Sequence, residues 1–197
     1  VYCALTNNKN RGKKTNAGGD ATPVDGPNPR KANKYGQIVR WTADGGDHTA
    51  DGFKWNLYVL AGNPEVHKTP GDLNAGSKNV NAGNFFNSPD GIAFDNNGML
   101  WIQTDGKYSN TGDFAGMGNN QMLVGDTQTG EIRRFLVGPR ECEITGITFS
   151  ADRRTLFVGV QHPGEKDKGQ SHFPDGGTTV PRSCVVAITR EDGAVIG

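Results

Sequence analysis

The chain has 197 residues, of which 34% are hydrophobic, 29 are glycine and 10 are proline. This length is sufficient for one domain with a buried core. So much glycine and proline without helical periodicity favours short strands joined by turns over a helical bundle. Lys plus Arg and Asp plus Glu both number 21, so no excess of charge indicates nucleic acid or a membrane surface as a partner. No apolar run approaches the roughly 20 residues of a membrane-spanning helix, and no signal peptide is recognisable.

Strand-like runs recur along the whole chain, each of them short and bounded by Gly, Pro, Asn or Asp. They cover residues 1–5, 37–41, 54–60, 91–94, 99–104, 121–125, 131–137, 145–149, 155–161, 184–189 and 194–196. In the clearest hairpin, strands 91–94 and 99–104 flank the turn Asp95-Asn96-Asn97-Gly98. The fold class is therefore predicted to be all-β.

The clearest hairpin occurs a second time. Gly91-Ile92-Ala93-Phe94 corresponds to Gly146-Ile147-Thr148-Phe149, and Leu100-Trp101-Ile102 corresponds to Leu156-Phe157-Val158. A repeat of this period in a strand-rich chain is typical of a β-propeller, in which each repeat forms one four-stranded antiparallel blade.

We expect residues 1–197 to form one partial propeller domain. An incomplete blade over 1–61 lacks its innermost strand, and whole blades follow over 62–137 and 138–197. About three blades are fewer than the roughly four to eight that close a ring. Because the chain also opens inside an apparent strand, we expect residue 1 to be a boundary, with further blades upstream. The alternative is self-association, since an incomplete propeller exposes sheet edges.

The long loops are predicted to share one face of the propeller. In an up-and-down blade, the connection between the second and third strands leaves by the same end as the connection to the next blade. These connections are the longest in the chain, and they cover residues 7–36, 62–89, 105–120 and 162–183. Loops gathered on one face of a rigid scaffold commonly carry the functional site.

Acidic and amide side chains are expected on the same rim. Asp90 stands at the entrance of one innermost strand, and Glu143 lies two residues before the equivalent strand. The second strands of the blades end in Thr6-Asn7-Asn8, Gln103-Thr104-Asp105 and Gln161-His162. Oxygen ligands that converge from several blades suit a hard cation such as calcium. We therefore predict Asp90 and Glu143 as metal ligands.

Alternatives remain open for each of these side chains. Pro-Asp-Gly is also a plain turn, in which Asp90 would accept backbone N–H groups. Glu143 has Arg140 nearby in sequence as an ion-pair partner, and His162 is either a ligand, a general base or a solvated loop residue. The histidines at 48, 67 and 172 lie in loops without ligand spacing.

Basic residues in the first long loop are candidates for anion binding. The basic stretch 9–14 and the pair Arg30-Lys31 would steer an anion such as phosphate, or else form a solvated loop.

Cys3, Cys142 and Cys184 lack metal-ligand spacing and favour small core positions. The sequence contains no GxSxG elbow, P-loop or HExxH motif, which disfavours nucleophilic-serine and nucleotide-cradling mechanisms.

Short motifs also occur in a fixed order over nearly the whole chain. They are YCALTNN (2–8), NPR (28–30), YGQIVRW (35–41), SPDG (88–91), LWIQTDG (100–106), GNNQM (118–122), CEITG (142–146) and QHPGE (161–165). No single motif is specific, but the ordered set resembles the C-terminal part of PhoX-type alkaline phosphatases.

The resemblance implies a propeller of roughly six blades that bacteria export to the periplasm or secrete. It implies hydrolysis of small phosphate monoesters with calcium and iron at the mouth of the propeller channel. The acid of Ser88-Pro89-Asp90-Gly91 matches a metal ligand of the family. The iron-binding cysteine, several metal-binding glutamates and a phosphate-contacting arginine fall upstream of residue 1, so none of the three cysteines here inherits the iron role. The chain alone is therefore expected to be inactive.

Two other functions remain open from the sequence alone. A calcium-dependent lactonase-like propeller would use a similar acid at the channel mouth. A non-catalytic propeller would instead bind a sugar or a peptide on its loop face. An upstream cysteine and glutamate set would favour the phosphatase over both.

Overall fold

The computed structural model describes residues 1–196 and consists of three antiparallel sheets connected by long loops. The strands are β1 (Tyr2–Leu5), β2 (Gln37–Ala43), β3 (Phe53–Leu60), β4 (Pro89–Phe94), β5 (Met99–Thr104), β6 (Gln121–Asp126), β7 (Ile132–Val137), β8 (Glu143–Phe149), β9 (Thr155–Gln161) and β10 (Cys184–Thr189). Short 3-10 turns cover Asp44–Gly46, Leu73–Ala75, Gly112–Phe114 and Lys168–Gln170. The prediction of an all-β fold is confirmed. Among residues 1–196, no helix has the length and hydropathy that crossing a membrane requires.

The strands pair in chain order within each sheet. The sheets are β1-β2-β3, β4-β5-β6-β7 and β8-β9-β10. The first strand of the second sheet, β4, contacts both β1 and β8, and β5 also contacts β8. The sheets therefore stand side by side with their first strands close together, which is consistent with consecutive propeller blades.

Two apolar cores fill the spaces between the sheets, and strand β5 contributes to both. Leu100 and Ile102 belong to the core shared with the first sheet, whereas Trp101 belongs to the core shared with the third. Successive side chains of a strand point to opposite faces, so a strand buried on both faces has no position for a polar residue in its centre. This explains the uninterrupted apolar run at the start of β5.

The sequence repeat extends to an irregularity of the backbone. Pairing of β4 with β5 shifts between Pro89 and Ile92, and pairing of β8 with β9 shifts between Thr145 and Ile147. Both shifts lie at the glycine that opens the repeat, Gly91 or Gly146. A bulge bends its strand and redirects the neighbouring side chains. Both strands therefore bend close to the candidate acids, Asp90 in β4 and Glu143 in β8.

The predicted last strand, residues 194–196, is not a strand. The chain turns back after β10, and the N–H of Ile196 donates to the carbonyl oxygen of Arg153 at 2.9 Å. The Ile196 side chain packs into the second core with an exposed fraction of 5%. A run of three apolar residues can form an edge strand or can bury a side chain in the core. Here the Ile196 side chain is buried in the core, and no strand forms. The described part of the third sheet therefore has three strands rather than four.

Arg30 has a structural role within the first long loop. It is 3% exposed and donates to the carbonyl oxygens of Ala61 and Gly36, the former at 2.5 Å. Burial lowers the pKa of its guanidinium to about 10. Because these bonds are directed at backbone, the hypothesis that Arg30 steers an anion is wrong. It instead fixes the loop against the end of the first sheet.

Candidate metal centre

Three carboxylates meet where the second and third sheets face each other. Asp90 is the second residue of β4, Asp105 directly follows β5, and Glu143 begins β8. One carboxylate oxygen from each residue lies within 4.8 Å of the others. We call this group the carboxylate triad. Both acids predicted as ligands belong to it.

The bulge in β4 presents Asp90 to the triad. Pro89 pairs with Thr104 and Ile92 pairs with Ile102, so the two residues between them leave the regular ladder. At position 91, a Cβ atom would lie 2.2 Å from the Oε1 atom of Gln103. A larger residue at position 91 would therefore have to displace the Gln103 amide, which packs beside the segment that carries Asp90.

Asp105 is held by backbone bonds on both sides of it. Its own N–H donates to the carbonyl oxygen of Ser88 at 3.1 Å. The next N–H, that of Gly106, donates to Oδ1 of Asn120 at 2.7 Å, and Nδ2 of Asn120 donates to the carbonyl oxygen of Cys142 at 2.8 Å. Asn120 is 3% exposed. One buried amide therefore links the segments that carry Asp105 and Glu143.

Glu143 is the most enclosed member of the triad, with an exposed fraction of 9%. Nε2 of Gln161 donates to its Oε2 atom at 3.0 Å, and Nε2 of His162 lies 3.4 Å from the same atom. Arg140 does not pair with Glu143, because its guanidinium donates to Gln170. His162 therefore lies beside the triad, where it orients Glu143.

The charges of the triad repel one another. Burial raises the pKa of Glu143, and the nearby charges of Asp105 and Asp90 raise it further. Burial and the charge of Asp90 likewise raise the pKa of Asp105. Neighbouring carboxylates repel one another when all of them are ionised, and a bound cation relieves that repulsion. Calcium fits this set, because it prefers several oxygen ligands from carboxylates and tolerates irregular geometry.

The cysteines do not belong to this centre. Cys142 is 0% exposed and packs in the second core, although it adjoins Glu143 in sequence. Burial raises the pKa of its thiol to about 12, and a metal ligand must be a thiolate. Cys3 and Cys184 are partly exposed and free. Within residues 1–196 the centre thus offers oxygen ligands and no thiolate, a set that suits calcium better than a thiolate-bound iron.

We expect Cys142 to be inert in the folded state. A maleimide reagent should modify Cys142 only after denaturation, because the native thiol is both covered and protonated. Peptide mapping by mass spectrometry, with Cys142→Ser as the control for peak assignment, measures this directly. Rapid modification of native Cys142 would contradict the buried placement.

Comparisons with known proteins identify the family of the chain. The family model described as alkaline phosphatase PhoX matches residues 1–164. The chain belongs to the PhoX family. Among solved structures, Pseudomonas fluorescens PhoX in complex with vanadate, a transition state analogue, is 58% identical with a TM-score of 0.92. The match covers 100% of this chain and 32% of that one, so the chain spans about a third of the length of that PhoX. A comparison with curated protein sequences gives no match.

Asp105 is the member of the carboxylate triad that the sequence places on the rim but does not predict as a ligand. Its position directly after a buried strand was visible in the sequence. Its closeness to Glu143 was not, because the two residues are 38 positions apart in the chain. The candidate centre of this PhoX family member is thus Asp90, Asp105 and Glu143, with Gln161 and His162 beside it.

Proposed function

We propose that the chain is part of a longer metal-dependent phosphomonoesterase, called here the whole protein, and supplies one side of its active site. The observation that carries the proposal is the convergence of Asp90, Asp105 and Glu143 to within 4.8 Å. Membership of an alkaline phosphatase family supports hydrolysis of phosphate esters. Pseudomonas fluorescens PhoX, a relative of this chain, binds vanadate as a transition state analogue, which supports a phosphoryl-transfer centre in that relative.

In this proposal the carboxylate triad holds calcium at the mouth of the propeller channel. Bound calcium would neutralise phosphate oxygens and help position the nucleophile for in-line attack. Asp90 and Asp105, which are exposed, would provide two of the oxygens that hold the cation. Glu143, whose carboxylate accepts from Gln161 and lies beside His162, would provide a third. Iron, which the family resemblance implies, would be held by residues outside this chain.

Further properties of the whole protein follow from the same proposal. The substrate is a small phosphate monoester, and the protein is exported to the periplasm or secreted. The blades predicted over 1–61, 62–137 and 138–197 would form about half of a ring of roughly six blades. The isolated chain should be inactive. It should also self-associate, because β10 ends the third sheet with one backbone edge unpaired among the described strands.

Metal removal and return test the proposed function. We expect the whole protein to hydrolyse phenyl phosphate, to lose about nine-tenths of its activity or more after dialysis against the calcium-selective chelator EGTA, and to regain it with calcium but not magnesium. Magnesium serves as the matched control, because it has the same charge but demands near-octahedral geometry and is usually bound through only one or two carboxylates. A whole protein that opens lactones but leaves phenyl phosphate intact would indicate the lactonase-like alternative. Binding of a sugar or peptide without turnover would indicate a binding module.

A further inference from the structure

A cleft of about 580 Å³ lies beside the carboxylate triad. Its walls come from loops of all three sheets, namely residues 7–9 after β1, residues 105–109 after β5 and residues 165–166 after β9. Asp105 lines the cleft and also belongs to the triad. A group bound at the triad would therefore have this cleft as adjoining open space.

Hydrogen bonds brace one wall of the cleft. The hydroxyl of Tyr108 donates to Oε2 of Glu165 at 3.1 Å, and Nζ of Lys166 lies 2.9 Å from the same oxygen. Burial and the bond to Glu165 raise the pKa of Tyr108 to about 12, so its hydroxyl stays protonated and remains a donor. The charge of Glu165 is thereby matched by Lys166.

Two other lysines of the cleft have no such partner. Among residues 1–196, no carboxylate oxygen lies within 4.0 Å of the ammonium of Lys9 or Lys107. Lys107 has a fixed backbone, since its N–H donates to Oδ1 of Asn87 at 2.9 Å and its carbonyl oxygen accepts from Nδ2 at 3.1 Å. Lys9 and Lys107 are therefore available to an anion that enters the cleft.

We propose, on the basis of the proposed function, that this cleft receives the leaving group of the phosphate monoester. Lys9 and Lys107 then favour leaving groups that carry a negative charge of their own, such as a carboxylate or a second phosphate. The flexible lysine stems follow a leaving group of variable shape while their ammonium groups attract its charge. The preference is one of charge and not of a particular leaving group, because no rigid fork of donors faces the cleft.

A matched pair of substrates tests this preference. The whole protein is assayed on phenyl phosphate and on 4-carboxyphenyl phosphate, which differ by one charge on the leaving group. In Lys9→Ala/Lys107→Ala, the ratio of kcat/KM for the charged over the neutral substrate is expected to fall about fivefold, with phenyl phosphate little changed. Lys9→Arg/Lys107→Arg keeps both charges and should retain the ratio. Raising the ionic strength should lower the ratio of the unmodified protein, because salt screens exposed charges.

The control variant is Lys54→Ala/Arg133→Ala, which removes the same charge from strand ends remote from the triad. It should leave the ratio unchanged. Suppose that the Lys9→Ala/Lys107→Ala variant hydrolyses both substrates with the same kcat/KM ratio as the unmodified protein. The role assigned to the cleft would then be overturned, while the proposed function would stand. If the unmodified whole protein hydrolyses neither substrate, the proposed function fails first, and the role of the cleft fails with it.

Discussion

Replacing Asp90 with asparagine is expected to lower the kcat of the whole protein on phenyl phosphate by about 100- to 1,000-fold. Asparagine keeps the shape of the side chain but removes one of the three charges that attract the cation. Without metal, the variant should unfold at the same or a higher temperature, because one source of repulsion within the triad is gone. Added calcium should then stabilise the variant less than the parent protein, since stabilisation follows affinity.

Asp126→Asn provides the matched control for this prediction. Asp126 ends β6 at the opposite end of the same sheet, and its Oδ1 atom accepts the N–H groups of Gln128 and Thr129 at 2.7 and 3.1 Å. Asparagine can retain those bonds, so activity and calcium stabilisation should stay as in the parent. If Asp90→Asn keeps full activity and calcium stabilisation, Asp90 is a turn residue, as Pro-Asp-Gly alone would allow.

Local patterns in the sequence predicted most of the strands. They failed at residues 194–196, where an apolar run could form either a strand or a buried contact with the core. The runs around 91–104 and 145–161 were predictable because alternation, glycine and a polar turn agree. Residues 194–196 carry the same apolar signal, but Ile196 fills a core instead of extending a sheet. The glycine that opens both repeats, Gly91 or Gly146, is compatible with a bulge, but the exact shift between Pro89 and Ile92 depends on the pairing partner and could not be predicted.

The candidate site was predictable only as far as strand ends reveal it. Asp90 and Glu143 were identified because each begins an equivalent innermost strand. The contact of Asp105 with both depends on the packing of two sheets, which no local pattern encodes. The sequence predicts only that His67 lies in a loop without ligand spacing, and the structure gives it two carboxylate neighbours. Its Nδ1 atom lies 3.2 Å from Asp72 and its Nε2 atom lies 3.5 Å from Asp113, so it braces two loops.

Asp95 carries the largest expected effect on stability. It lies in the β4–β5 turn, at the other end of the strands from the triad, and it is 7% exposed. Its Oδ1 atom accepts the N–H groups of Asn97 and Met99 at 2.8 and 3.0 Å, and Oδ2 accepts from Nε1 of the buried Trp101 at 3.0 Å. The guanidinium of Arg153, from the third sheet, lies 3.8 Å from Oδ2. One carboxylate thus supports the turn, the largest core side chain and a contact between sheets.

Asp95→Ala should therefore lower the free energy of unfolding of the whole protein by about 2–4 kcal/mol, because the Trp101 N–H and a partly buried guanidinium lose their acceptor. The equivalent hairpin turn supplies the comparison. Asp152 accepts from Ser150 and Arg154 within its own turn and is exposed, so water replaces it readily and Asp152→Ala should change stability far less. Denaturant unfolding of both variants, followed by Trp fluorescence, measures the difference. Equal losses would mean that each aspartate serves only its own turn and that the Trp101 bond adds little. A clearly larger loss for Asp95→Ala would show that its burial and its bond to Trp101, rather than its place in a hairpin turn, set the size of the effect.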